Sequence, residues 1–318
     1  IPLTALDPTL VTSKALTLAD GIIASGGNRH ESNLIAIWEF KTNGGGTVFD
    51  TSGIEPAVDL TLSGSYAWLG GYGINLTGGK AQADTIRSKK LNDFVRSSGE
   101  YSIEAWVVPA NVSQEDANII SYSAGANSRN FTLGQTLYNY DFYNRTTESN
   151  ANGEVILATP DADEVLQSTL QHVVATYDPV QGRSIYVNGK AILVNDLVTT
   201  STSISNWDDS FAFLLGNEVS NNRTWNGQLR LVAMHNRVLT PAQVIQNFDV
   251  GVGQKFFMLF SVAEQLSIPD SYILFEVSQF DSYSYLFDKP AFINLDADWV
   301  PVPIDIEGIR IGINGKEA

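Results

Sequence analysis

The stretch Tyr138-Asn-Tyr-Asp-Phe-Tyr-Asn144 sets aromatic rings beside amides and a carboxylate in one strand-like run. Sugars are held by that combination, an aromatic face against the ring and polar groups on the hydroxyls. Trp207-Asp208-Asp209, Asn217 and Asn221-Asn222-Arg223-Thr224-Trp225 place the same residue types in predicted loops. Tyr138, Tyr140, Tyr143, Trp207, Asn217 and Trp225 are therefore the candidate carbohydrate-binding residues. The competing expectation is core packing, the usual fate of strand aromatics and the one expected of Trp38 and Trp106.

Other chemistry is sparse. Asp161-Ala-Asp163-Glu164 and Asn294-Leu-Asp296-Ala-Asp298 alternate oxygen-bearing side chains, but neither has the glycine and distal glutamate of an EF-hand loop. Both read as solvated loops. No Gly-x-Ser-x-Gly, His-Glu-x-x-His or phosphate-binding loop occurs. Of the 3 histidines, His172 and His235 fall in predicted strands, where core roles are expected, and His30 lies before them. The absence of cysteine removes disulfides, thiolate metal sites, thiol nucleophiles and covalent haem attachment, so no haem is expected in this chain. The chain is expected not to be an enzyme.

Charge narrows the partners further. A formal net charge of −16 repels phosphate backbones and anionic lipid surfaces, so neither nucleic acid nor a membrane surface is expected as a partner. No run of about 18 apolar residues is present for membrane insertion. Sequons at Asn75, Asn111, Asn130, Asn144 and Asn222 are of the number chance gives in a chain so rich in Asn, Ser and Thr. The opening Ile1-Pro2, without Met or a signal-peptide pattern, is expected of a piece of a longer protein.

The elements that must position these residues are strands. Leu34–Phe40, Asp59–Ser63, Gly73–Thr77, Tyr101–Val108, His172–Tyr177, Arg183–Val187, Ala191–Val194, Phe211–Leu215 and Gln228–His235 are apolar or alternate with period two. Asn188-Gly189 predicts a tight hairpin turn. One helix is predicted after Thr240, with Pro241 at its first position, Gln243 completing a capping box, and Val244, Ile245 and Phe248 as its buried face. Gly251-Val-Gly253 marks a boundary. Three regions follow: a leader over 1–32, a sandwich over 33–252, and a smaller β unit over 253–318, expected to be incomplete, with runs at Phe256–Val262, Ser271–Val277, Asp281–Phe287, Pro290–Leu295 and Ile304–Ile313. The fold class is all-β.

Several segments in order resemble bacterial LamG-like domains of the concanavalin A-like lectin/glucanase superfamily. They are Trp38-Glu-Phe40 with Phe49-Asp-Thr-Ser-Gly53, Tyr101-Ser-Ile-Glu-Ala-Trp106, and His172-Val-Val-Ala-Thr-Tyr-Asp178 with Arg183-Ser-Ile-Tyr-Val-Asn-Gly189. Phe213-Leu-Leu-Gly-Asn217, Trp225-Asn-Gly227 and Arg237–Ile245 complete the series. The resemblance implies a jelly-roll β-sandwich. It also implies a Ca²⁺ at the rim, with Asp50 among its ligands; Arg230 or its neighbour stands where a second family carboxylate is expected. The flanks resemble parts of large envelope proteins that also carry cytochrome c-like regions. The Glu-x-Asp-x-x-Glu strand of related glycosidases is absent. The implied function is a non-catalytic recognition or adhesion module, secreted, periplasmic or at the cell surface, binding glycan or protein. The alternative is an assembly module, in which 1–32 and 253–318 drive self-association or contact other domains of a longer parent. A glycoside hydrolase comes third.

Overall fold

The computed structural model describes residues 29–42, 44–69, 73–196 and 202–252, together with three short strands further on. The chain divides into a unit spanning Asn28–Val252 and a second drawn from Ile1–Gly27 and Gly253–Ala318. The larger unit is built from two eight-stranded sheets, numbered here in chain order.

The first sheet runs β14 (Lys190–Asp196), β13 (Gly182–Val187), β12 (Gln171–Asp178), β7 (Tyr101–Pro109), β16 (Gly227–His235), β5 (Ile74–Leu76), β4 (Tyr66–Trp68), with β1 (Leu34–Trp38) also paired to β16. The second runs β11 (Leu157–Ala158), β10 (Asn139–Asn144), β9 (Ser128–Thr136), β8 (Ala117–Gly125), β15 (Ala212–Leu215), β6 (Lys80–Gln82), β3 (Leu60–Ser63), β2 (Thr47–Val48). Every pairing is antiparallel. This is a jelly-roll β-sandwich, and the strand alternation shows why it forms. Tyr101, Ile103, Ala105 and Val107 of β7 enter the core between the sheets, as do Phe131 and Leu133 of β9 and Tyr140 and Phe142 of β10. Trp38 stacks on Phe213 at 4.6 Å within that core. Each of the larger apolar side chains among them contributes about 1.5–3 kcal/mol by leaving water. The intervening residues point outward, so each sheet has a second face whose fate the core does not decide.

Turn and cap chemistry sets the local register. Asn188 and Gly189 have φ of 50° and 75°, the two positive values a two-residue type I′ turn requires, and they join β13 to β14. Helix α2 (Pro241–Val250) has the capping box expected at Thr240 and Gln243. Its Val244, with Leu239, packs on Val174 and Tyr186 against the outer face of the first sheet, and Phe248 stacks on Trp106 at 5.9 Å. Ile245, expected on the buried face, is instead 47% exposed.

Helix α1 (Thr85–Ser98) was not predicted. Its signals are polar: Asp84 caps the first turn by accepting from the Arg87 N–H, and Gly99 ends it at φ 79°. Its buried side includes Ser88, Lys90 and Asn92 beside Leu91 and Val95, so hydrophobic periodicity is weak. In the second unit β17 (Ile273–Val277) pairs with β18 (Ala291–Ile293) and β19 (Ile309–Ile313). The expected strands Phe256–Val262 and Asp281–Phe287, and the leader run at 15–23, lie outside the described residues.

Candidate functional site

Strands β8, β9 and β10 of the second sheet turn an unusually polar face outward. Asn118, Thr132 and Asp141 are all buried there, and none enters the apolar core. Together with the flanking loops they form a polar pocket of about 200 Å³. Gly134 contributes no side chain to it; a Cβ at that position would meet the Ala117 carbonyl at 3.0 Å and Asn118 Oδ1 at 3.8 Å. Glycine thus leaves room above the sheet.

The pocket's polar walls are organised by pairs. The Arg129 guanidinium lies 4.3 Å over the centroid of the Tyr143 ring, a cation–π contact, and its Nη2 donates to the Ala126 carbonyl. Arg223 Nη1 donates to Asp116 Oδ2 at 2.6 Å. Asn152 Nδ2 donates to Glu154 Oε1 at 2.8 Å. Asp141 accepts from the Thr136 hydroxyl. Burial pushes the Asp141 carboxyl up to about 6; Thr136 opposes the shift, and the nearby Asp116 and Asp161 charges add to it. Arg129 Nε and Thr132 Oγ1 are buried without a hydrogen-bond partner. A buried donor without a partner costs about 1–3 kcal/mol, which a ligand acceptor would relieve.

Of the sequence candidates, the pocket contains Tyr143 alone. Three aromatic candidates are corrected, because a stacking platform needs an accessible ring. Tyr140 is fully buried, with its hydroxyl donating to Gln171 Oε1 at 2.9 Å. Trp207 packs edge-on against Tyr101 at 5.0 Å, and its indole N–H donates to the Arg145 carbonyl. Trp225 is fully buried and donates to Gln135 Oε1 at 2.9 Å. Asn217 is also spent internally: its Oδ1 accepts from the Glu218 and Arg223 N–H groups, and its Nδ2 donates to Thr224. Tyr138 is 39% exposed, outside the pocket walls. Asp161–Asp163 form an exposed 3-10 turn.

Sequence reasoning missed Asp116, Asn118, Arg129 and Arg223 as one group, since three separate segments supply them. The signal was present in β8 and β9, where Ser, Asn, Thr and Gly hold the positions between apolar residues.

Asp50 does not have the surroundings of a calcium ligand. Its Oδ1 accepts from the Ile37 and Ser52 N–H groups at 3.1 and 3.0 Å. Its Oδ2 accepts from the Val58 N–H at 3.1 Å and from Lys90 Nζ at 2.9 Å. Both carboxylate oxygens are therefore engaged. Burial alone would raise this carboxyl, but the Val58 and Ser52 N–H groups and Lys90 hold it below its usual value. Arg230 donates to Gln228 Oε1 on its own strand. Among the described residues no group of three or more His, Cys, Asp or Glu is placed to hold a metal.

Two further polar sites have their principal charged groups engaged within the chain. A cavity of about 230 Å³ beside Arg183 has that guanidinium paired with Asp196 and donating to the Phe142 and Val155 carbonyls. On the outer face of the first sheet, Glu104 is fully buried, 2.5 Å from Arg29 Nη2 and 3.0 Å from His172 Nε2, and it accepts from Asn247 Nδ2 of α2 at 2.8 Å. Burial opposes ionisation, yet the Arg29 guanidinium, with His172, holds this carboxyl well below the usual carboxylate range.

With this geometry in place, comparison with known proteins decides the family. A model described as the concanavalin A-like lectin/glucanases superfamily matches residues 79–245, more than half of the chain. The chain belongs to this superfamily. Among solved structures, a receptor binding domain superposes with a TM-score of 0.51 at 16% identity, covering 69% of this chain and 51% of the other. The binding domain of botulinum neurotoxin DC in complex with rat synaptotagmin II gives 0.48 at 17% identity, covering 69% and 52%. This chain therefore spans about half the length of these neighbours. The first of them shares its fold. No curated protein sequence matches the chain.

Proposed function

We propose that this domain is a non-catalytic recognition module that binds a hydroxyl-rich ligand, a glycan, in the pocket over β8, β9 and β10. Asp141 carries the proposal. It is a buried carboxylate at the wall of a pocket of about 200 Å³, its pKa is raised, and it accepts a hydrogen bond from the Thr136 hydroxyl. A sugar hydroxyl donating to that carboxylate would supply a charge-assisted bond worth about 1.5–3 kcal/mol. The Asn118, Asn127 and Asn152 amides, with Arg129 and Arg223, supply donors around the same volume. That mixture suits a polyol, which needs donors and acceptors together. The test is a glycan array followed by titration calorimetry on the best hit. Asp141→Asn and Tyr143→Ala should each weaken binding about tenfold or more. Equal affinity in both variants would remove the pocket from the function.

The same pocket motivates a second reading. Asp116, Asp141 and Glu154 line one volume, and a carboxyl pushed up to about 6 is poised as an acid catalyst is. Incubating the bound glycan with the domain and assaying new reducing ends separates the readings. Turnover abolished in Asp141→Asn would make the domain a hydrolase.

A further inference from the structure

The Asp50 site carries a cation of its own. Asp50 and Lys90 each have 0% side-chain exposure, and their 2.9 Å contact joins the loop after β2 to helix α1. Lys90 Nζ also donates to the Ile54 carbonyl. The ammonium thus sits between a carboxylate and a backbone carbonyl, two oxygens of the kind a hard divalent ion takes as ligands. Asp50 in turn fastens three backbone segments, through the N–H groups of Ile37, Ser52 and Val58. A calcium ion needs six to eight oxygens, and here the carboxylate's acceptor positions are already used by three N–H groups and one ammonium. The residues do not fit the metal that the family resemblance implied.

We propose that Lys90 is the resident cation of this rim site, standing in place of a divalent metal, so that the domain's stability is independent of calcium and depends on the lysine ammonium instead. Two physical reasons favour the substitution. An ammonium presents up to three donors, of which two go to Asp50 and Ile54, so it can bridge oxygens as a metal would. A lysine delivered from a capped helix is also always present, whereas a bound ion depends on its concentration. The inference is independent of the glycan reading, because Asp50 and Lys90 are not among the residues lining the polar pocket.

Thermal unfolding of the full chain with 1 mM calcium and with EDTA tests it. These probe concentrations are about the range of extracellular calcium sites. The wild-type midpoint should be the same in both. Lys90→Ala should unfold about 5–10 °C below wild type, by the same margin in calcium and in EDTA, because the Asp50 carboxylate is left buried without its counter-ion. A wild-type midpoint that rises with calcium and loses the rise in Asp50→Ala overturns the proposal. So does a folded Lys90→Ala that unfolds at the wild-type midpoint. Should Lys90→Ala fail to fold, Lys90→Met and Asp50→Asn supply a second test. Their double variant should be more stable than the sum of the two single losses predicts, because neither partner is then left unpaired. Simple additivity would show that Lys90 is not the counter-ion, and the proposal falls.

Discussion

The two outer faces of the sandwich each bury a carboxylate, and the two are shifted in opposite directions. Glu104, on the first sheet, is held well below the usual range; Asp141, on the second, is pushed up to about 6. Burial acts the same way on both. The difference lies in what stands beside them. Glu104 meets the Arg29 guanidinium and the Asn247 amide, and α2 closes over it with Phe248 stacked on Trp106. Asp141 meets one hydroxyl, and the charges nearest it include the carboxylates of Asp116 and Asp161. The first face draws its carboxylate's partners from within the chain and is covered by α2, although Arg29 Nε and Nη1 and His172 Nδ1 lie buried there without a hydrogen bond. The other keeps a charged group short of partners beside an open volume, which is the condition for binding something else.

The sharpest way to break this comparison is at Glu104. Glu104→Ala removes the anionic partner of a buried pair and leaves Arg29 uncompensated, so unfolding in urea should show a loss of about 3–5 kcal/mol. Glycan affinity of the folded fraction should not change. A loss below 1 kcal/mol would mean that the closed face is not held by its charges.

Acid titration separates the faces next. Burial, with help from Arg29, lowers His235 on the closed face to about 4 from 6.5. A depressed histidine favours its neutral form in the folded state, so its contribution is present above pH 6.5 and is lost as the pH falls towards 4. The loss is at most about 3 kcal/mol. Stability curves of His235→Gln should lack this part of the acid-side decline; curves parallel to wild type would refute it.

Asp141 has the opposite sign. Its folded value lies above the ordinary 3.8 of an aspartate, so its contribution is full below pH 3.8 and is lost as the pH rises through about 6. Asp141→Asn should therefore be more stable than wild type at pH 7.5, by about 1–3 kcal/mol, while binding glycan more weakly. A destabilised variant would place Asp141 among the structural carboxylates with Glu104. The smallest effect is expected at Tyr138, exposed and outside the pocket walls. Tyr138→Ala should alter stability by less than about 0.5 kcal/mol and leave affinity unchanged. A drop in affinity there would extend the site beyond the pocket.

Much of the fold was legible because period-two alternation reports which face of the sheet a residue takes. Tyr101–Pro109 and Gly227–His235 follow it closely, and the Asn188-Gly189 turn and the Thr240 cap are local chemistry. Helix α1 was not legible, because a lysine and an asparagine occupy its buried side. Strands β8 and β9 were passed over for a related reason. Their outward residues are polar yet buried, so composition alone resembles a loop.

The aromatic candidates show the limit more plainly. Tyr140 and Tyr143 stand three residues apart on one strand, and opposite faces of the sheet make one of them core and the other pocket wall. From the sequence alone came the sandwich, its tight turn, its capped helix and the residue types able to bind a polyol. Only the tertiary structure decided that Trp207 and Trp225 are core, that Lys90 occupies the acceptors of Asp50, and that Asp116, Arg129, Asp141 and Arg223 share one pocket. Local pattern fixes which way a strand residue points. Whether a helix then covers that residue, a lysine reaches it, or solvent is left over it depends on chain segments far away in sequence.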